Sequence, residues 1–436
     1  MLPIIHQIAS GSLNMETNQH RQIIYEIFPR NHGVNGNFRD IINDLDRIKN
    51  LGVDIIWLMP IHPIGVLSRK GSEGSPYSIQ DYSKIHPDLG SEQDLVDLIS
   101  TVHNKDMKII IDAVLNHTSV DADWVTSHPS YYLQNDSGEI IRKVSDWSDI
   151  LDLNFENQEL WADIAAIMNK WVQMGIDGFR CDVAPMVPLK FWQYLKSSID
   201  KENDLVWIAE SVHLSHIRET RKSGYICHSD AELHGVFDFT YEYDSFELFE
   251  MVLKDKSKLA QYIYFIKNQM YQYPDHACKL RFLENHDIAR AASIFANFDQ
   301  LKNWTVFTFF IPGANLVYAG QEYALQKLPN LFEKDIVDWE NGDQKFLGFF
   351  KQIIKLSKEI TGSTLEFDID NLGDSIIKIE WNNVQKVVLF LNLSHEKKTY
   401  PLAKNIKGKD LLENRDLSLK KGENLDRFPI IIQLSS

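Results

Sequence analysis

Six polar side chains set at the ends of apolar runs are the residues in this chain best placed to do chemistry together: Asp182, Glu210, Asp287, Arg180, His117 and His286. They stand in Asp112-Ala-Val-Leu-Asn116-His117, Gly178-Phe-Arg180-Cys-Asp182, Trp207-Ile-Ala-Glu210 and Leu283-Glu-Asn-His286-Asp287. Three carboxylates with one arginine and two histidines admit two readings. A hard divalent metal takes oxygen ligands of this kind. A glycosidic bond instead needs one carboxylate to attack the anomeric carbon and one carboxylic acid to protonate the leaving oxygen. The arginine favours the second. Residues two apart on a strand share a face, so Arg180 flanks Asp182 and is expected to hold it ionised, as a nucleophile requires. Glu210 follows apolar Trp207-Ile-Ala, a context expected to raise its pKa toward that of a general acid. A single Asp or Arg at a strand end is more often an ion pair or a cap, so the joint pattern carries the reading.

Eight β-branched runs can carry these groups: 23–28, 55–60, 108–114, 178–183, 206–210, 235–239, 281–285 and 315–320. Between them lie amphipathic stretches such as Phe38, Ile41, Ile42, Leu45, Ile48, Leu51 and Leu160, Ile164, Ile167, Trp171, Met174, whose three- and four-residue spacing predicts helices with one buried face. Eight alternating strand–helix units predict an α/β fold, a parallel (β/α)8 TIM barrel, whose functional groups sit at the carboxyl ends of the strands. No GxGxxG follows the first strand to favour a doubly wound sheet. Residues 118–155 are polar, aromatic and without helical period, and read as a short loop domain inserted after the third strand, over the barrel mouth. After residue 362 short alternating strands, 375–381, 386–393 and 428–434, predict a C-terminal antiparallel β-sandwich spanning 363–436. The barrel is thus expected over 1–117 and 156–362.

Composition limits the partners. Across 436 residues, 45 Lys+Arg against 61 Asp+Glu give a charge of −16, which disfavours nucleic acid and anionic membranes. Three cysteines cannot form a disulfide framework and no CxxC suggests zinc. The start, Met1-Leu-Pro-Ile-Ile-His-Gln-Ile, lacks a basic n-region and a long apolar h-region, and no run is long enough to span a bilayer, so a cytoplasmic protein is expected.

The four motifs resemble, in order, those of the α-amylase family, glycoside hydrolase family thirteen. The similarity runs from Ile23 to Trp339 and includes Tyr25-Glu-Ile-Phe-Pro29, Leu151-Asp-Leu-Asn154, Gly235-Val-Phe-Asp-Phe239 and Pro312–Glu322. It implies that Asp182 is the nucleophile, Glu210 the acid and later the base, and Asp287 the carboxylate that grips sugar hydroxyls. Arg180, His117 and His286 would position the −1 sugar, and Tyr77 would stack beneath it. The resemblance implies a retaining hydrolase of α-glucosidic, α-1,4 bonds in maltooligosaccharides or dextrins. A glucanotransferase or maltosyltransferase with the same residues is the alternative, and a non-catalytic glucan-binding homologue a third.

The departures bear on the acceptor side and on metal. Ser75 stands where many relatives carry His, and Val183-Ala-Pro-Met186 where many read Val/Ala-x-Lys-His. Many amylases hold calcium with an Asn of the first motif, an Asp of the loop domain and the backbone of that His. Asn116 and Asp152 match two of these positions and are the only metal candidates. With Met186 as the third, no cofactor is required, calcium is the less favoured of two readings, and Asn116 and Asp152 serve equally well as structural hydrogen-bonders. Cys181 should point into barrel packing, Asp81 and Glu322 should support scaffold, and His213 is expected to be a solvated loop residue.

Overall fold

A computed structural model describes residues 19–200, 204–362, 366–383 and 385–435. The first eighteen residues, assigned above to the barrel, and the boundary expected at residue 363 lie outside the described residues.

Eight parallel strands close into a barrel: β1 (Ile23–Ile27), β2 (Ile55–Leu58), β3 (Lys108–Ala113), β4 (Gly178–Cys181), β5 (Val206–Ala209), β6 (Phe239–Tyr241), β7 (Cys278–Arg281) and β8 (Ala314–Tyr318). Each pairs with its neighbours in sequence, and β1 closes on β8 through Ile23 opposite Asn315 and Glu26 opposite Tyr318. Burial on both faces explains the unbroken Ile-Ile-Trp-Leu and Ile-Ile-Ile runs. The crossover helices show why the periodicity was legible. Phe38–Leu51 starts at Asn37, whose side chain accepts from Asp40 N–H, and stops at Gly52 with φ 97°. Its Phe38, Ile41, Leu45, Ile48 and Leu51 are buried, each worth about 1.5–3 kcal/mol relative to exposure. Gln158–Gln173 repeats the design with Asn157 as cap and Leu160, Ile164, Met168 and Trp171 inward.

Two strands sit away from their expected positions. Residues 235–237 continue the turn of a short helix, Asp230–Leu233, with their N–H groups bonded to Glu232 and Leu233 carbonyls, so β6 begins only at Phe239. The seventh strand ends at Arg281 instead of beginning there, because Glu284 and Asn285 side chains capture the backbone N–H groups of Ala291, Asp287 and Ile288 and turn the chain out of the ladder. Cys278-Lys-Leu-Arg did not look like a barrel strand because Lys279 and Arg281 are buried in ion pairs with Asp230, Asp244 and Glu242.

The excursion after β3 holds a two-stranded antiparallel ribbon, His117–Ser119 with Ile150–Asp152, and a short helix, Asp123–Ser127. The C-terminal region is a six-stranded antiparallel sheet in the order Phe367–Gly373, Ile376–Asn382, Lys386–Asn392, Ile430–Leu434, Ile406–Asp410, Arg415–Leu419. One face, including Ile377, Ile379, Trp381 and Leu389, joins the barrel core, and Trp381 Nε1 donates to Phe310 O at 3.0 Å. The other face, Val388, Phe390, Ile430 and Ile432, packs with Leu402 and Leu425, which flank or lie in the ribbon Tyr400–Pro401 with Asn424–Leu425. Among the described residues no helix is long and apolar enough to cross a membrane.

Candidate active site

Strand register assembles the site. Asp112 of β3 lies opposite Arg180 of β4, and Cys181 opposite Ala209 of β5. One step further along, Asp182 N–H donates to Ala113 O (3.1 Å) and Glu210 N–H to Cys181 O (3.0 Å). Asp182 and Glu210 therefore leave adjacent strands at one height, as their sequence positions anticipate, and Asp112 lies two residues deeper, level with Arg180.

Arg180 joins them. Its Nη1 donates to Asp112 Oδ1 at 2.8 Å and to Asp182 Oδ1 at 2.9 Å. Nη2 lies 2.9 Å from Glu210 Oε1, an ion-pair contact whose direction falls short of a hydrogen bond. The guanidinium is fully buried and ringed by Trp57, Tyr77 and Tyr241, with centroids 5.1, 5.5 and 5.5 Å away. A planar, always-charged fork suits this position, where a point charge could not face three carboxylates.

The carboxylates differ in proton affinity. Burial pushes Glu210 up to about 7, against the pull of Arg180. Burial likewise pushes Asp182 and Asp112 up to about 6, again opposed by Arg180. Arg180 thus does not depress Asp182 below its usual range: one guanidinium divided among three buried acids offsets only part of the desolvation. Asp287 is the exception. Burial acts to raise it, but His286 outweighs this and holds it below the ordinary aspartate value.

His286 is held as imidazolium. Burial works against its charge, yet Asp287 and Glu26 outweigh that and raise it well above the usual histidine value. Its Nδ1 contacts the buried Glu26 of β1, and its Nε2 lies 3.0 Å from Asp287 Oδ2 and 2.8 Å from the Tyr77 hydroxyl. Tyr77 also donates to Asp112 Oδ2 at 3.1 Å and stacks on the His286 ring at 5.2 Å. Ser75, at the departure noted in the sequence, accepts the Tyr77 N–H through its hydroxyl and so holds that loop. Burial lowers His117, whose Nε2 faces Tyr77 O at 3.1 Å and whose Nδ1 lies 3.2 Å from Asn116 Nδ2. It lines the cleft as a neutral ring with both nitrogens already engaged.

The seven expected site residues thus meet in one cleft: Asp182, Glu210, Asp287, Tyr77, His117 and His286 line it, with Arg180 beneath. Its rim is completed by Trp147, Asp149 and Ile150 of the excursion, by Lys70, and by Leu331 and Phe332. Lys70 Nζ bridges to Asp149 Oδ1 at 2.7 Å, tying the loop after β2 to the excursion. Asn116 and Asp152 lie below the cleft, joined by an Asn116 Nδ2 to Asp152 Oδ1 hydrogen bond of 2.9 Å. Asp81 accepts from Ser83 N–H and Glu322 accepts from the Tyr25 hydroxyl, scaffold contacts in both cases. His213 is not solvated: it is half-buried against Tyr243, ring centroids 4.7 Å apart, and its Nδ1 is buried without a partner.

Sequence reasoning missed Glu26, Asp112, Val183 and Lys143. Glu26 left a signal, an acid inside the apolar run Ile-Ile-Tyr-Glu-Ile. Val183 left none. It adopts φ 36°, a left-handed conformation costly for a β-branched residue, and from there its N–H donates to Glu210 Oε2 at 2.7 Å. Strain in the residue directly after Asp182 thus fixes the orientation of Glu210.

The alpha amylase catalytic domain family model matches residues 15–147 and 144–355, most of the chain. The chain belongs to the alpha-amylase family. Among solved structures, an alpha-amylase from Lactobacillus plantarum is 33% identical, with 96% of this chain and 99% of that one covered at a TM-score of 0.91. A noncanonic maltogenic alpha-amylase from Thermotoga neapolitana is 30% identical with 96% and 99% covered and a TM-score of 0.84. Alpha-amylase 3 of Dictyoglomus thermophilum is 27% identical over 356 residues, 73% of this chain and 67% of that protein. An alpha-1,4-glucan:maltose-1-phosphate maltosyltransferase of Picrophilus torridus is 29% identical over 272 residues. That match takes in 57% of this chain and 39% of the maltosyltransferase, so this chain corresponds to well under half of that relative.

Proposed function

We propose that the protein hydrolyses α-1,4-glucosidic bonds of maltooligosaccharides or dextrins by retaining double displacement. The observation that carries the reading is one buried guanidinium shared by Asp182 and Glu210, the first with a pKa of about 6 and the second of about 7. Burial keeps a proton on Glu210 toward neutral pH, as a general acid requires, while the shared guanidinium favours the ionised form of Asp182, as a nucleophile requires. Asp182 attacks the anomeric carbon while Glu210 gives its proton to the departing oxygen. Glu210, now a carboxylate, takes a proton from the water that attacks the same carbon, and Asp182 leaves with its electron pair. Two carboxyls on adjacent strands, held by the same guanidinium, suit the separation of about 5–5.5 Å that retention needs. Asp287, paired with the His286 imidazolium, offers an ionised acceptor for sugar hydroxyls, and the Tyr77 ring an apolar face.

In this reading residues 1–117 and 156–362 form the catalytic barrel, 118–155 a loop domain walling the cleft, and 363–436 a C-terminal domain. All three cysteines are unpaired and buried, which fits a reducing, cytoplasmic setting. The test is the product profile on a maltooligosaccharide series, with Asp182→Asn as control. Reducing-sugar release that the control abolishes supports the reading, and release that it leaves unchanged refutes it.

The similarity to a maltosyltransferase favours a second reading, in which a sugar hydroxyl replaces water in the second step. Incubation with maltotriose separates the two: longer oligosaccharides appearing early mark transfer, glucose and maltose alone mark hydrolysis.

A further inference from the structure

Lys143, in the excursion, places its ammonium where the calcium-site positions Asn116, Asp152 and Met186 converge. Nζ donates to Asn116 Oδ1 at 2.7 Å and to Met186 O at 3.3 Å, and lies 3.7 Å from Asp152 Oδ1. Its own backbone N–H donates to Asp152 Oδ2 at 2.8 Å, and the side chain is 7% exposed. One residue therefore faces four oxygens from three parts of the chain: the loop closing β3, the ribbon of the excursion, and the turn that follows Asp182.

A divalent cation does not fit these residues as they stand. Calcium binds six to eight oxygens, whereas here a single carboxylate is present, and one of its oxygens accepts from the Asn116 amide and the other from Lys143 N–H. An incoming ion would also meet an ammonium at the focus of the same oxygens. Lys143 and Asp152 already balance in charge, and three N–H donors face three acceptors. Among the described residues no cluster of three or more His, Cys, Asp or Glu is arranged to hold a metal.

We propose that the Lys143 ammonium is the built-in structural cation of this site, replacing a bound divalent ion and clamping the excursion to the barrel beside His117. The protein then needs no calcium to hold its cleft together. Removal of the charge leaves the buried Asp152 carboxylate without a counter-ion and the Asn116 and Met186 oxygens without their ammonium donor.

The test is thermal unfolding, followed by circular dichroism, of wild type, Lys143→Met and Lys143→Ala, each with excess EDTA and with millimolar calcium chloride, alongside metal analysis of the purified wild type. Wild type is expected to carry less than one calcium per ten chains and to melt within about 1 °C in both solutions. Lys143→Met, which keeps the stem and loses the charge, is expected to melt several degrees lower in both. Lys143→Ala, which opens the space as well, is expected to recover part of its loss when calcium is added. A wild type that melts lower in EDTA and regains its Tm with calcium overturns the proposal, as does a Lys143→Met variant as stable as wild type. If the variants do not fold, the wild-type arms decide alone.

Discussion

Replacing Glu210 by glutamine should change the pH dependence of stability as well as slow turnover. Burial lifts Glu210 from its ordinary 4.5 to about 7, so between those pH values the folded protein keeps a proton that the unfolded chain has released. Stability must then fall as pH rises through this window. Above pH 7 the folded state bears the full cost of a buried carboxylate, about 3 kcal/mol at 1.36 kcal/mol per unit. Glutamine has nearly the same shape, still offers an oxygen to Val183 N–H, and never ionises. Urea unfolding of wild type and Glu210→Gln, followed by tryptophan fluorescence at pH 4.5 to 8, should show the variant gaining about 3 kcal/mol on wild type across the range. kcat should fall about 10²–10⁴-fold. A stability difference that does not change with pH would show that Glu210 is not held protonated by burial, and retained activity would remove it as the acid.

Arg180→Lys keeps a positive charge but cannot face Asp112, Asp182 and Glu210 at once; losing one charge-assisted contact should lower kcat/KM about 10–150-fold, and a pH profile should show the acid limb moving up by about one unit. Tyr77→Phe leaves Asp112 Oδ2 and His286 Nε2 without the hydroxyl, and steady-state kinetics should record a loss of about tenfold in kcat/KM with the fold intact. Gly178→Ala would set a Cβ 2.1 Å from Val206 O, a backbone atom of the neighbouring strand, so β4 and β5 must part and Tm should fall by several degrees, measurable by calorimetry.

The barrel was legible because its two signals are local. Apolar runs buried on both faces mark the strands, and stripes such as Phe38–Leu51 mark the helices, each bounded by an Asn or Gly that does capping work. Legibility failed where polar residues are buried in company. Lys279 and Arg281 read as surface residues, yet Asp230, Asp244 and Glu242 reach them from other elements, so the period of β7 is written in ion pairs that sequence spacing cannot pair. The site followed the same division. Asp182, Glu210 and Asp287 stand at strand ends and could be found from position. Glu26 depends on β1 closing against β8 next to β7, and the Lys143 clamp on three segments meeting at one nitrogen. The proton affinities were half legible: the apolar run before Glu210 announced its raised pKa, while Asp182 required knowing that Arg180 also serves Asp112 and Glu210.

Trapping the intermediate tests whether Asp182 forms a covalent bond to sugar while Glu210 supplies the proton. A fluorinated α-glucosyl fluoride that glycosylates quickly and turns over slowly, followed by proteolysis and peptide mass analysis, locates the adduct. A single glycosylated peptide with the sugar on Asp182, and no adduct in Asp182→Asn, is the expected result. A sugar on Glu210 or Asp287, or first-formed products of inverted anomeric configuration, would contradict it.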